Sequence, residues 1–179
     1  MGLSADLVDE TRLFTALSLL TECLDSELIA ANGPNRCWHG MWPGQAYPSF
    51  GSLMACTSDC GVSWVQVMSL YPSAQFPLPD QAQATRCASP MAMEVRLGVA
   101  RCLPRARDRE ANPDPQVTFD SIRLSMSDER AMKRAVLCCL PERAKTNADM
   151  RSLDVSLGAW TPIELGAGVT GGTWRAYIG

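Results

Sequence analysis

A long amphipathic helix, predicted at the amino-terminal end, is the feature that most constrains how this chain can fold. Apolar side chains recur there at spacings of three, four or seven, as along one face of a helix: Leu7, Phe14, Leu17, Leu24 and Leu28. Ser4 can cap the first turn. Asn32-Gly33-Pro34 ends the pattern, because glycine suits the left-handed position after a helix and proline cannot continue one. We therefore expect a helix from about Ser4 to Ala31.

The composition indicates one folded domain spanning residues 1–179. Apolar residues make up 46% of the chain and charged residues 20%, which argues against wholesale disorder. The net charge of -3 argues against chain-wide attraction to nucleic acid or anionic lipid, although a local basic patch stays open. No apolar run approaches the roughly 18 to 20 residues of a membrane-spanning helix. Met1–Glu10 carries acids and no basic residue, unlike a secretory signal, so we expect synthesis and folding in the cytosol with no membrane partner.

Two strands are predicted in the middle of the chain. The segment 61–71 is rich in Val, Trp and Tyr and is apolar on both faces, which indicates a central strand. Its predicted faces are Val62, Trp64, Met68, Leu70 and, opposite them, Val65, Val67, Tyr71. The segment 91–103 alternates, and its core face is predicted to hold Met91, Met93, Val95, Leu97 and Val99. The other face carries Glu94 and Arg96, as on a solvated or partner-facing side of an antiparallel sheet.

The carboxyl-terminal half is predicted to form a second helix and a hairpin. Helix signals run from Thr118 to Leu140 and end at Pro141. Its apolar stripe comprises Phe119, Ile122 and Met126, roughly continued by Met132, Val136, Cys139 and Leu140. The segments 152–157 and 173–178 read as paired strands. Four glycines are predicted to supply the turn geometry: Gly166, Gly168, Gly171 and Gly172.

These elements, in the order α-β-β-α-β-β, predict an α+β fold. We expect a four-stranded, mainly antiparallel sheet packed by two helices. Long loops are predicted at 35–60, 72–90 and 104–116, where prolines, glycines or charged residues interrupt any regular period. Loops of this length are usually functional or held by a neighbour, so we expect them to be assembly surfaces.

Candidate catalytic chemistry is sparse. The single histidine, His39, lies in a predicted irregular loop without a nucleophile motif, and an ordinary hydrogen-bonding role is favoured. The glycine-rich run 166–172 precedes a strand rather than a helix amino terminus, so its context is wrong for a phosphate-binding loop. We therefore predict no enzyme activity, no catalytic residue and no cofactor.

The eight cysteines leave one alternative open. Cys37, Cys56, Cys60 and Cys87 lie in loops or at strand ends, where they could hold zinc, but only Cys56 and Cys60 have close to ligand spacing. Free thiols are the favoured interpretation, and no metal site is assigned. Cys102, Cys138 and Cys139 are expected to pack in the core as small apolar residues.

Several strings resemble those of the tail-terminator (head-to-tail connector) proteins of long-tailed bacteriophages, especially those infecting actinobacteria. They are Val65-Gln66-Val67 leading to Tyr71-Pro72-Ser73 and Phe76-Pro77, the strand 93–104, the helix end 135–140, Gly158–Pro162, and Gly171–Trp174. The resemblance implies a structural role, with a ring of typically six subunits that caps the completed tail tube and ends its polymerisation. It also implies a surface for the head-side stopper, DNA passing through the channel without being read, and a place in the virion.

Two other functions stay open. The chain could be another neck component, either a stopper, which should be mostly β-barrel, or an adaptor, which should be mostly helical. It could also be a small zinc-binding interaction module held by the loop cysteines.

Overall fold

The structure is a computed structural model and describes residues 5–33, 38–44, 46–48, 61–80, 90–102, 114–150, 152–164 and 169–179. At residues 5–10, 117, 149 and 164 it describes the backbone alone. The elements in chain order are α1 (Ala5–Asn32), β1 (Trp38–Met41), β2 (Gly61–Pro72), β3 (Met91–Cys102), α2 (Pro115–Arg134), α3 (Leu140–Ala144), β4 (Val155–Glu164) and β5 (Val169–Ile178). A π-helical turn (Ala135–Cys139) joins α2 to α3, and a 3₁₀ turn (Ala148–Met150) precedes β4.

The strands form one mixed sheet in the order β1-β2-β3-β5-β4. β1 runs parallel to β2, and the other neighbours are antiparallel. The α+β class is therefore as expected, whereas the expectation of four strands was wrong. The fifth strand, β1, lies inside the predicted 35–60 loop, because a four-residue strand is too short to show a period against its glycines and prolines.

The main core lies between one face of the sheet and the two long helices. Leu17, Leu24 and Leu28 of α1 are buried there, as predicted. Phe14 was predicted on the same face, but it is 63% exposed and points away from the core. Leu7 was also predicted there, and its side chain lies outside the described residues.

β3 contributes its predicted core face: Met93, Val95, Leu97 and Val99 are buried against the helices. On the β2 strand, the register shifts between Val67 and Ser69, so this strand carries a bulge. The extra residue reverses which face of the sheet each following residue of β2 points to. Leu70 therefore pairs with Met93, and Tyr71 pairs with Ala92, opposite to the simple alternation that the sequence predicted.

The carboxyl-terminal hairpin forms as β4 and β5, with longer strands than expected. Gly171 and Gly172 were predicted in its turn, but both lie within β5. A Cβ at Gly172 would overlap the Trp160 ring, and one at Gly171 would overlap the backbone of Val99. The close approach of the Trp160 ring and of the Val99 backbone therefore explains why glycine occupies these two positions. Gly166 and Gly168 lie outside the described residues.

The second helical segment is longer than predicted at both ends. α2 begins at Pro115, where the Asp114 side chain accepts a hydrogen bond from the Gln116 backbone N–H. Pro141 was expected to end the helix, but it lies in the first turn of α3, directly after the π turn. Cys139 and Leu140 keep right-handed helical backbone angles, so the helical path continues through Pro141 after the π turn.

Candidate assembly surface

His39 lies on β1 rather than in an irregular loop, and it links three elements. Its Nε2 lies 2.9 Å from the backbone oxygen of Thr21, and its Nδ1 lies 2.7 Å from Ser63 Oγ. A carbonyl oxygen only accepts, so Nε2 carries a proton, and in the neutral ring the Ser63 hydroxyl donates to Nδ1. Ser63 is fully buried. The contacts join β1, β2 and α1, in line with the hydrogen-bonding role predicted for His39.

The cysteines behave differently from the prediction of core thiols. Cys23 of α1 and Cys139 of the π turn form a disulfide that joins the two helical segments across 116 residues of sequence. Cys138 is an exposed free thiol, and Cys102 is exposed and disulfide-bonded. Sequence spacing does not reveal such a pairing, because residues far apart in the chain become neighbours only in the fold.

The candidate zinc ligands Cys37, Cys56, Cys60 and Cys87 lie outside the described residues. Across the residues that the structure does describe, no group of three or more histidine, cysteine, aspartate or glutamate side chains could hold a metal ion.

A buried ion pair positions α2 on the sheet. The Arg101 guanidinium of β3 donates to both carboxylate oxygens of Asp128, at 2.6 and 2.7 Å, and Asn32 at the end of α1 donates to the same group at 2.6 Å. Asp128 is only 3% exposed. Asp128 lies four residues before the buried Met132, and residues four apart lie on the same face of a helix. This spacing was the one sequence signal that an acid lies on the inner face.

Further contacts join α2 to its neighbours. The Trp174 indole N–H of β5 donates to the backbone oxygen of Glu129 at 3.2 Å. Arg134 pairs with Glu27 of α1 at 2.8 Å, and this hydrogen bond raises the pKa of the guanidinium. With Asp128 turned inward, these contacts set the rotation of the helix.

The outward face of α2 carries the stripe that the sequence placed in the core. Phe119, Ile122 and Met126 are exposed by 60%, 56% and 65%. Phe119 and Asp128 are nine residues apart, about two and a half turns, so they lie on opposite sides of the helix. Only the later part of the predicted stripe is internal, since Met132, Val136 and Leu140 are buried.

The side of α2 that faces the sheet is polar in the same turns. Ser121, Ser125 and Asp128 line a small recess there, together with Leu124 and the end of β3. In these turns the helix presents hydroxyl and carboxylate groups, together with Leu124, towards the sheet and three large apolar side chains outward. Large apolar side chains on the outward face are unusual for a surface helix in an isolated globular protein. We call Phe119, Ile122 and Met126 the α2 stripe.

The sheet edges are poorly suited to extension by another strand. β4 forms one edge, and it carries a register shift between Leu157 and Trp160 and an exposed proline, Pro162. Proline removes a donor and a bulge twists the edge, and both discourage pairing with a further strand. At the other edge, β1 has four residues. The α2 stripe is thus a better contact surface than either edge.

The described residues of the 42–48 segment pack on part of the face of the sheet away from the helices. The fully buried Gln66 donates through Nε2 to two backbone oxygens of that segment, those of Gly44 and Ala46. Tyr47 lies between the Arg96 guanidinium, 4.9 Å from its ring, and the edge of Trp64. Arg96 was predicted to lie on a solvated or partner-facing side of the sheet. Part of that side is instead occupied by Tyr47 of the same chain.

Neither a protein-family model nor a curated protein sequence matches the chain. Among the described residues, no helix combines the length and the apolar character needed to cross a bilayer.

Proposed function

We propose that the chain is a structural subunit of a bacteriophage virion, a tail terminator that assembles into a hexameric ring. The observation that carries the proposal is the α2 stripe: three large apolar side chains, more than half exposed, on the side of a helix opposite its anchored face. In a ring the stripe is buried against the neighbouring subunit. Each subunit of a head-to-tail ring presents two different patches, and the rotation between subunits sets closure.

The identity of the assembly rests on the resemblance of the chain to tail terminators. In that role the ring caps the tail tube, ends its polymerisation and offers its other side to the head-side stopper, and DNA passes through without base readout. A stopper is expected to be mainly β-barrel and an adaptor mainly helical. The mixed sheet with helices on one face favours a terminator over both, and the proposal includes neither catalysis nor a cofactor.

The test is assembly of the purified chain with and without its tail tubes, followed by native mass spectrometry and negative-stain electron microscopy. We expect rings at the ends of tubes, and shorter tubes when the chain is present during polymerisation. Phe119→Lys should abolish the rings, because it places a charge in a contact that desolvates the side chain. Phe14→Lys is the matched control, since Phe14 has nearly the same exposure on α1.

A chain that never associates with tubes would exclude the terminator role. Rings that form equally well from Phe119→Lys protein would exclude the α2 stripe as the contact. Immunogold labelling of particles at the top of the tail would test the location independently.

A further inference from the structure

A disulfide closes the contact between α1 and the segment 134–143, which we call the helix seam. Cys23 lies in the middle of α1 and is fully buried, and it is bonded to the half-buried Cys139 at the end of the π turn. Two ion pairs cross the same seam: Glu27 with Arg134, and Glu22 with Arg143. Each pair includes a side chain that is more than half exposed, and water screens such pairs. The disulfide therefore dominates this part of the seam.

The helix seam has an apolar basis that does not depend on the bond. Cys23 belongs to the main core together with Leu20, Leu24 and Val136, and Cys139 packs against that core. A reduced cysteine packs as a small apolar residue, so both thiols can keep these positions. We therefore expect the reduced chain to fold with α1 in the same place and with lower stability.

We propose that the bond between Cys23 and Cys139 is a redox-dependent clasp, open in the newly made chain and closed in the finished assembly. Disulfides persist in oxidising surroundings and are rare in the cytosol, where thiols are kept reduced. The timing rests on the proposed function: subunits made in the cytosol assemble there, and the finished particle then leaves the cell. Passage out of the cell supplies the oxidising surroundings that close the clasp.

The closing step is a thiol–disulfide exchange with a small disulfide, RSSR. Cys139 is the more exposed partner, so its thiolate attacks RSSR, forms a mixed disulfide and releases one thiolate, RS⁻. Cys23 then loses its proton and attacks the Cys139 sulfur, which releases the second RS⁻. The two protein thiols are oxidised, and RSSR is reduced to two RSH that carry the two protons.

Closing the clasp should stabilise the helical layer without moving the α2 stripe. The core packing of α1 and the ion pair of Asp128 with Arg101 already fix α2 in both redox states. Reduced and oxidised chains should therefore cap tail tubes equally well, whereas the oxidised ring should resist heat better. The clasp thus adds durability after assembly.

Thermal unfolding of the purified chain, fully reduced or oxidised with a small disulfide, tests the clasp. We expect oxidation to raise the melting temperature by roughly 5 to 15 °C. The double variant Cys23→Ala with Cys139→Ala should lack this increase. Any increase that remains in it belongs to Cys102, which is also disulfide-bonded. Cys138→Ser, which changes the exposed thiol next to the clasp, should keep the full increase.

Two results with the purified chain would overturn the clasp. One is a reduced wild-type chain whose circular dichroism shows it unfolded at room temperature, because the open state would then not be a folded one. The other is an increase in melting temperature that is as large in the double variant as in the wild type.

The timing is tested by blocking free thiols with N-ethylmaleimide in infected cells and in released particles, followed by peptide mass spectrometry. We expect Cys23 and Cys139 to be alkylated in cells and bonded to each other in particles. A bond already complete in cells, or alkylated cysteines in particles, would overturn the timing. Absence of the chain from particles would overturn the proposed function and the timing with it. The melting temperatures of the purified chain then support or overturn the clasp by themselves.

Discussion

Replacing Asp128 by asparagine removes the negative charge from the buried ion pair that anchors α2, with almost no change in side-chain volume. The guanidinium of Arg101, whose side chain is 13% exposed, then loses both charged contacts and has little access to water. Removing one partner of a buried pair typically costs about 3–5 kcal/mol, because the other charge is left uncompensated. We expect Asp128→Asn to lower the free energy of unfolding by about 3 kcal/mol, since the amide oxygen can still accept one hydrogen bond.

The assay is urea unfolding followed by tryptophan fluorescence and circular dichroism. With a urea dependence of about 2 kcal/mol/M, a loss of about 3 kcal/mol moves the midpoint down by about 1.5 M. Replacing both partners, as Arg101→Met with Asp128→Leu, should cost less than the single change, because no buried charge is left behind.

The matched control is the surface pair of Arg143 with Glu22. Its N–O distance is also 2.6 Å, but its side chains are 41% and 58% exposed. Arg143→Gln should cost less than about 1 kcal/mol, because water screens both charges. Equal losses from Asp128→Asn and Arg143→Gln would refute the reasoning, since burial would then not decide the effect.

Three further changes test other parts of the fold. Gly98→Ala should cost about 1–3 kcal/mol in urea unfolding, because its Cβ would overlap the Trp64 ring. Cys23→Ser should lower the unfolding free energy by about 2–4 kcal/mol without reductant and by much less with it, because the bond to Cys139 constrains the unfolded chain. Burial, followed by the nearby negative charges, raises the pKa of Tyr71 above 10.0, so its contribution to stability is full below that pH and is lost as pH rises through the folded-state value. Tyr71→Phe should flatten this alkaline loss in urea midpoints.

The first two changes have matched controls. Gly158→Ala meets its nearest side-chain atom, Cβ of Arg175, at 3.3 Å and should cost less than Gly98→Ala. Cys138→Ser changes an exposed thiol and should leave the melting temperature unaltered with or without reductant. A Tyr71→Phe protein with the same alkaline slope as the wild type would show that another group causes the loss.

Most of the regular elements could be predicted from local periodicity. The spacing of Leu17, Leu24 and Leu28 located α1, and the alternation around Val95 located β3 and its core face. Both patterns depend on backbone geometry alone, which repeats every 3.6 residues in a helix and every two in a strand. The bulge in β2 and the short β1 were missed, because one extra residue or a four-residue strand leaves no period to detect.

The candidate surface was recognised as an apolar stripe but given the wrong environment. Phe119, Ile122 and Met126 share a helix face, which the sequence shows, and the default for such a face is the core. The deciding residue is Asp128, whose charge is paired with Arg101 of β3. The disulfide of Cys23 with Cys139 was missed for a similar reason, because nothing in the sequence around either cysteine indicates its partner.

The sequence by itself determined the two long helices, the four longer strands and many of the residues that share a face, because those relations are local and periodic. Only the tertiary structure decided which face of α2 meets the sheet. That choice depends on the ion pair between the buried Asp128 and Arg101 of β3 and on the hydrogen bond from the Trp174 indole to the Glu129 carbonyl of α2. These contacts turn Asp128 inward and leave the α2 stripe in solvent.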